Sequence, residues 1–156
     1  MFRYGIRFIK DEDFVQDCIQ NIFFDLWTRR DKIGQTDAVK SYLFKSLRTR
    51  IFRDKAKWKS LESIEDDYEF IVEFDVETTL IKEELSQEIN HKLHLILDKL
   101  PKRQKEILYL RFYEGMEQEK IAEIMGLNPQ SVYNLLHESI TRLRKYWLKS
   151  AVYYCL

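Results

Sequence analysis

Apolar residues recur at helical spacing along most of this 156-residue chain, and their phase marks out the elements. Phe14, Cys18, Ile22 and Leu26 share one face and predict a helix from Asp11 to Trp27, capped by Asp11 or Asp13. Ile19, Phe23 and Trp27 lie beside that stripe and widen its expected buried face. Phe2 to Ile9 reads as the tail of a preceding helix, ended near Lys10. After a polar loop from Thr28 to Asp37, residues Leu43, Phe44, Leu47 and Ile51 give the inner face of a long basic helix, Val39 to about Trp58. From Leu61 to about Thr79 the apolar residues Ile64, Phe70, Ile71 and Phe74 show no clear period, which predicts an extended, mobile linker. Helical spacing resumes near Leu80 and runs through Leu85, Ile89, Leu93, Ile96 and Leu97. Leu100-Pro101 breaks it, and a helix from Pro101 to Tyr113 stops at Gly115.

The stretch from Ile121 to Leu136 then has the spacing of a helix-turn-helix. Ala122 is small where two helices must approach, and Gly126 suits the left-handed residue of the turn. Asn128-Pro129 is a cap and first-turn pair for the second helix. Val132, Leu135, Leu136, Ile140 and Leu143 form its apolar face, and cap, turn and both inner faces agree. The pattern as a whole predicts an all-α protein of two small helical domains, and four Gly and two Pro fit that class.

Charge changes the picture. The net charge is zero, but Thr28–Ser60 carries eleven basic residues against Asp31, Asp37 and Asp54. Leu61–Glu84 carries ten acids and one base, Lys82. Two basic lobes joined by an acidic strap suit a polyanionic partner. Cys18 and Cys155 lack the spacing of a metal site or disulfide framework and read as reduced thiols. His91, His94 and His137 form no metal set with Cys or carboxylates, and no Gly-rich phosphate loop or catalytic constellation is present. An enzyme, a metal and a cofactor are therefore not expected. No apolar run reaches the roughly 18 residues that span a bilayer, and Phe2–Phe8 is too broken by charge for a signal peptide, so a cytoplasmic protein is expected.

Two motifs point to one family. Asp17-Cys18-Ile19-Gln20-Asn21-Ile22-Phe23 resembles the D-x-x-Q-x-x-F signature of region 2 in sigma factors of the sigma-70 family, followed by Leu26-Trp27 and Tyr42-Leu43-Phe44-Lys45. Leu100-Pro101-Lys102-Arg103-Gln104, Leu110-Arg111-Phe112-Tyr113 and the helix-turn-helix resemble region 4. Two short domains without regions 1 and 3 resemble the extracytoplasmic-function group. The resemblance implies region 2 over 1–59 (shortened at its N-terminal end), an acidic linker over 60–84, and region 4 over 85–156 with its helix-turn-helix at 118–145.

It also implies partners and roles. Asp17 and Gln20, with Asn21 and Asp25 nearby, would meet the β′ subunit of core RNA polymerase, and the β subunit would also be engaged. Gln35, Thr36 and Asp37 lie in the loop that could pocket a flipped base of the −10 element. Lys40, Lys45, Arg48, Arg50 and Arg53 are candidates for its phosphates. Gln130 and Asn134 have the paired donor and acceptor groups that read adenine, and Ser131, Tyr133 and His137 share their face. Arg142 and Arg144, with Arg103 and Arg111 from the preceding helix, would clamp the −35 backbone. Relatives commonly carry Arg or Lys near positions 133 and 138, where this chain has Tyr133 and Glu138. Glu117 stands where Ser or Thr usually caps the first helix of the motif. An anti-sigma factor, often tethered to the membrane, is a further implied partner, and no small-molecule substrate is implied. The rival reading is an autonomous helix-turn-helix regulator that binds an operator without polymerase.

Overall fold

The computed structural model describes residues 1–34, 37–59, 68–72 and 83–152. Among them all regular structure is helical: α1 (Phe2–Gly5), α2 (Glu12–Thr28), α3 (Val39–Lys59), α4 (Glu83–Asp98), α5 (Lys102–Leu108), α6 (Gln118–Met125) and α7 (Pro129–Val152). A short 3-10 turn, Arg30–Lys32, follows α2, and a π turn, Tyr109–Tyr113, extends α5. The sequence signals for the ends hold locally. Asp11 caps α2 by accepting from the Phe14 amide at 3.0 Å. Pro101 precedes α5, and Gly115, at φ +66°, ends the π turn in the conformation a side chain resists.

In the first lobe α2 packs on α3, with α1 against both. Gly5 makes this close approach possible, since a Cβ there would lie 2.5 Å from Val15 Cγ1 and 3.3 Å from Leu47 Cδ2. In the second lobe α7 packs on α4, α5 and α6. The two lobes also meet, because α3 packs on α6, and a single core cluster runs through both.

The centre of that shared core is aromatic. Tyr4 stacks on Phe44 and on Tyr109, with ring centroids 4.9 and 6.0 Å away, so one residue of α1 touches α3 and the α5 extension. Phe8 meets Phe52, Tyr68 and Phe70 at 5.0–5.6 Å. Each such pair adds about 0.5–1.5 kcal/mol beyond simple burial.

Two expectations are corrected. The described part of the linker, residues 68–72, is seated on the core along one edge: Tyr68, Phe70 and Val72 alternate inward, Glu69 faces out, and the Ile71 amide donates to the Arg7 carbonyl at 2.9 Å. Three apolar side chains at period two gain more from this seat than an acidic surroundings lose. The remainder of 60–84 before Glu83 is outside the described residues. On α2, Phe23 and Trp27 do not widen the buried face but stand 51% and 69% exposed. The pairing with α3 and α1 fully buries Val15, Cys18 and Ile22 and partly buries Phe14, Ile19 and Leu26, leaving Phe23 and Trp27 outside.

Candidate nucleic-acid interface

The helix-turn-helix is built as the residue types dictate. Gly126 adopts φ 65°, ψ 35°, and the Leu127 amide closes the turn onto the Ala122 carbonyl at 3.0 Å. Asn128 Oδ1 accepts from the Ser131 amide at 2.7 Å, which caps α7. Glu117 makes no such side-chain bond to α6. Val132 and Leu136 are buried, with Leu135, Ile140 and Leu143 packed beside them. Ser139, which the sequence reading did not single out, is also fully buried and satisfies its hydroxyl on the Leu135 carbonyl at 2.6 Å.

The outward face of α7 therefore presents Gln130, Tyr133, Asn134 and His137 to solvent. Gln130 Nε2 donates to Asn134 Oδ1 at 3.1 Å, so the two amides form one unit with an acceptor and donors left over. The Tyr133 and His137 rings lie nearly parallel, 6.5 Å apart. Glu138 is ion-paired with Arg142 at 2.6 Å, which offsets the acidic charge on this face. Arg144 is exposed, Arg103 is half-buried, and Arg111 donates to the Met116 carbonyl at 2.9 Å, bracing the turn before α6.

In the first lobe Asp17, Gln20 and Asn21 are exposed on α2, in line with Phe24 and Trp27 at 67% and 69% exposure. The spacing i, i+3, i+7, i+10 puts Asp17, Gln20, Phe24 and Trp27 on one face. Phe24 was missed from sequence, because one exposed aromatic within an apolar-rich helix carries no periodic signal. Asp25 is paired with Arg50 at 2.8 Å. Between α2 and α3 lies an open cavity of about 380 Å³ whose lining includes Ile33, Tyr42, Lys45, Arg50 and Arg53. Asp37 is exposed nearby in sequence, while Gln35 and Thr36 lie outside the described residues.

Two of the α3 cations are committed elsewhere. Lys40 Nζ binds the Glu114 carboxylate at 2.9 Å and carbonyl at 2.8 Å. Arg48 is not on the surface, as a phosphate contact requires. Its Nε donates to Glu106 Oε1 at 2.9 Å in the interior. Tyr4 and Tyr68 hydroxyls bind the same carboxylate at 2.7 and 2.8 Å. Burial opposes charge on Arg48, but the Glu106 carboxylate and the Tyr4 and Tyr68 hydroxyls together outweigh it and raise the guanidinium pKa. Burial first, and then Glu106, push both tyrosine hydroxyls well above the usual phenol range.

Comparison with known proteins places relatives beside these features. The family model for sigma-70 region 4 matches residues 90–143, the segment that contains α5, α6 and most of α7. RNA polymerase sigma factor SigV of Bacillus subtilis is 27% identical over 143 residues, covering 92% of this chain and 81% of that protein. Residues 90–143 thus carry a sigma-70 region 4, and the chain is similar to a sigma factor over most of its length. RNA polymerase sigma factor SigF of Mycobacterium tuberculosis is 42% identical over 52 residues, 33% of this chain and 20% of that protein. Among solved structures, the sigma factor RpoE in complex with the anti-sigma factor NepR from Bartonella quintana has the same fold, with a TM-score of 0.59, 16% identity, and 93% and 88% of the two chains covered. Sigma factors are transcription-initiation factors, and the two-lobed, all-helical architecture is theirs. No helix among the described residues is long and apolar enough to cross a membrane.

Proposed function

We propose that this chain is a sigma factor of the extracytoplasmic-function group, which recruits core RNA polymerase through α2 and reads promoter DNA with α3 and α7, without catalysing a reaction of its own. The observation that carries the reading is the pairing, in one chain, of a capped recognition helix with a second basic helix. A helix-turn-helix alone needs only the former.

On α2, Asp17, Gln20 and Asn21 supply hydrogen-bonding groups to the β′ subunit, while Phe24 and Trp27 supply apolar anchors beside them. Asp25 serves more by holding Arg50 than by direct contact. On α3, Lys45 and Arg53 reach −10 phosphates, Arg50 stands behind them, and the cavity beside Tyr42 receives an unstacked base. On α7, the Gln130–Asn134 amide pair reads adenine edges of the −35 element. Ser131, Tyr133 and His137 flank it, and Arg142, Arg144, Arg103 and Arg111 bear on the backbone.

Region 2 then comprises 1–59 and region 4 comprises 85–156. The protein works in the cytoplasm, where polymerase and promoters are. The likeness to RpoE in its complex with NepR supports an anti-sigma factor as a further partner.

Transcription from a library of candidate promoters with purified core polymerase tests the reading. Promoter-specific transcripts that depend on both proteins are expected. Protection of a palindromic site by the protein alone, with no open complex when core is added, would overturn it in favour of an autonomous regulator.

A further inference from the structure

We propose that Tyr133 selects thymine in the −35 element through apolar contact with the C5-methyl group of the base. This contact rests on the promoter-reading function proposed above and concerns α7 alone. Gln130, Tyr133, Asn134 and His137 follow the spacing i, i+3, i+4, i+7, so they share one face of the helix, and all four are exposed. That face lies in the first turns after the Asn128 cap, the part of a recognition helix that meets base edges. Among these polar side chains the Tyr133 ring is the apolar exception. It stands 53% exposed, and the His137 ring, nearly parallel at 6.5 Å, continues it as a strip of two rings.

The chemistry of this face decides which base pair it fits. An A·T pair presents two features side by side in the major groove, the N6 and N7 groups of adenine and the C5-methyl of thymine. The bonded amides of Gln130 and Asn134 match the first, and the aromatic ring next to them matches the second. A G·C pair has no methyl there, and its commonest reader is an Arg or Lys that donates to guanine O6 and N7. No Lys or Arg occurs between Pro129 and Thr141. The first cation beyond, Arg142, is held by Glu138 at 2.6 Å. Tyr133 cannot replace such a cation, because its hydroxyl has one proton to donate and guanine offers two acceptors. A phosphate would engage that hydroxyl alone and leave the ring in water, whereas a methyl group takes part of the ring out of water.

A base that lacks only the methyl group tests the contact. Holoenzyme assembled from the full chain and core polymerase is first given a promoter library randomised over the −35 element, from which an A·T pair should be selected. Each thymine of the selected element is then replaced by deoxyuridine, one at a time on either strand, which keeps base pairing and the adenine edges intact. One replacement should weaken holoenzyme binding about fourfold, as the loss of one buried methyl group does. Tyr133→Phe should keep that penalty, and Tyr133→Ala should bind the thymine and uracil promoters equally. Tyr133→Arg should move the selected pair at this position to G·C. The side chain is exposed, so these substitutions leave the core intact.

No penalty at any uracil in the unsubstituted chain overturns the proposal. A penalty that survives Tyr133→Ala does the same. So does a loss of binding in Tyr133→Phe as large as in Tyr133→Ala, which would assign the contact to the hydroxyl. A chain that yields no promoter-specific transcript with core from any member of the library sinks the sigma reading, and the thymine contact with it.

Discussion

The amide of Ser131 donates to the side-chain oxygen of Asn128 at 2.7 Å, and on that bond the start of the recognition helix depends. Asn128→Ala removes it and leaves an orphan donor in the first turn. The expected cost is about 1 kcal/mol, measurable by urea denaturation. Asn128→Asp should retain most of the stability, because its carboxylate accepts the same bond. Binding of −35 DNA should weaken in Asn128→Ala at temperatures where the protein is still folded.

Gly5 predicts a steric effect of the opposite kind, an added atom rather than a lost bond. A Cβ 2.5 Å from Val15 Cγ1 cannot be absorbed by a stiff β-branched side chain without moving α1 off α2. Gly5→Ala should cost about 1–3 kcal/mol in chemical denaturation. Combining it with Val15→Ala should cost less than the two changes summed.

Trp27 separates surface from core. Its side chain is exposed apart from the Arg30 guanidinium 4.9 Å over its ring. Trp27→Ala should change stability by less than about 1 kcal/mol, as exposed positions do. Binding to core polymerase should fall by tenfold or more, as for a buried aromatic anchor of an interface. Asp17→Ala with Gln20→Ala should weaken the same binding. Unchanged affinity in a titration of labelled protein with core would move the interface off this face of α2.

Alkaline pH should unfold the protein earlier than ordinary groups would. Burial is the main cause that raises the Cys18 thiol from 9.0 to about 11, and it raises Tyr4, Tyr68 and Tyr109 above the usual phenol range as well. All four bind their protons more tightly when folded. Their contribution is complete below the unfolded values, about 9 for the thiol and about 10 for phenols, and is lost as pH rises through the folded ones. Urea midpoints should be flat with respect to these groups from pH 7 to about 8.5, then decline steadily. Tyr68→Phe should flatten part of that decline.

What was legible in the sequence is what local chemistry decides. Asp11, Pro101, Gly115, Gly126 and Asn128 each act on neighbours within five residues, and each did what its type demands. The recognition-helix faces followed from a single period sustained over four turns. Lobe-to-lobe contacts left no such trace. Arg48 looks like any cation of a basic helix, and only a carboxylate 58 residues away draws it inward. Tyr68, Phe70 and Val72 alternate over five positions inside an acidic stretch, too short a run to outweigh composition. Gly5 is informative only once Val15 faces it. Trp27 misled because a helical stripe shows which residues can be buried together, and not how wide the neighbouring helix is.

The bond from Tyr4 to Glu106 joins residues 102 positions apart. During synthesis, at about 5–20 residues per second, the aromatic face built by Tyr4, Phe8, Phe44 and Phe52 waits on the order of 5–20 s for its cover to leave the ribosome. The N-terminal half alone thus carries an uncovered apolar surface and an arginine without its acid. Expressed as a fragment, it should invite chaperones or proteases, so the whole chain is the unit the cell can accumulate.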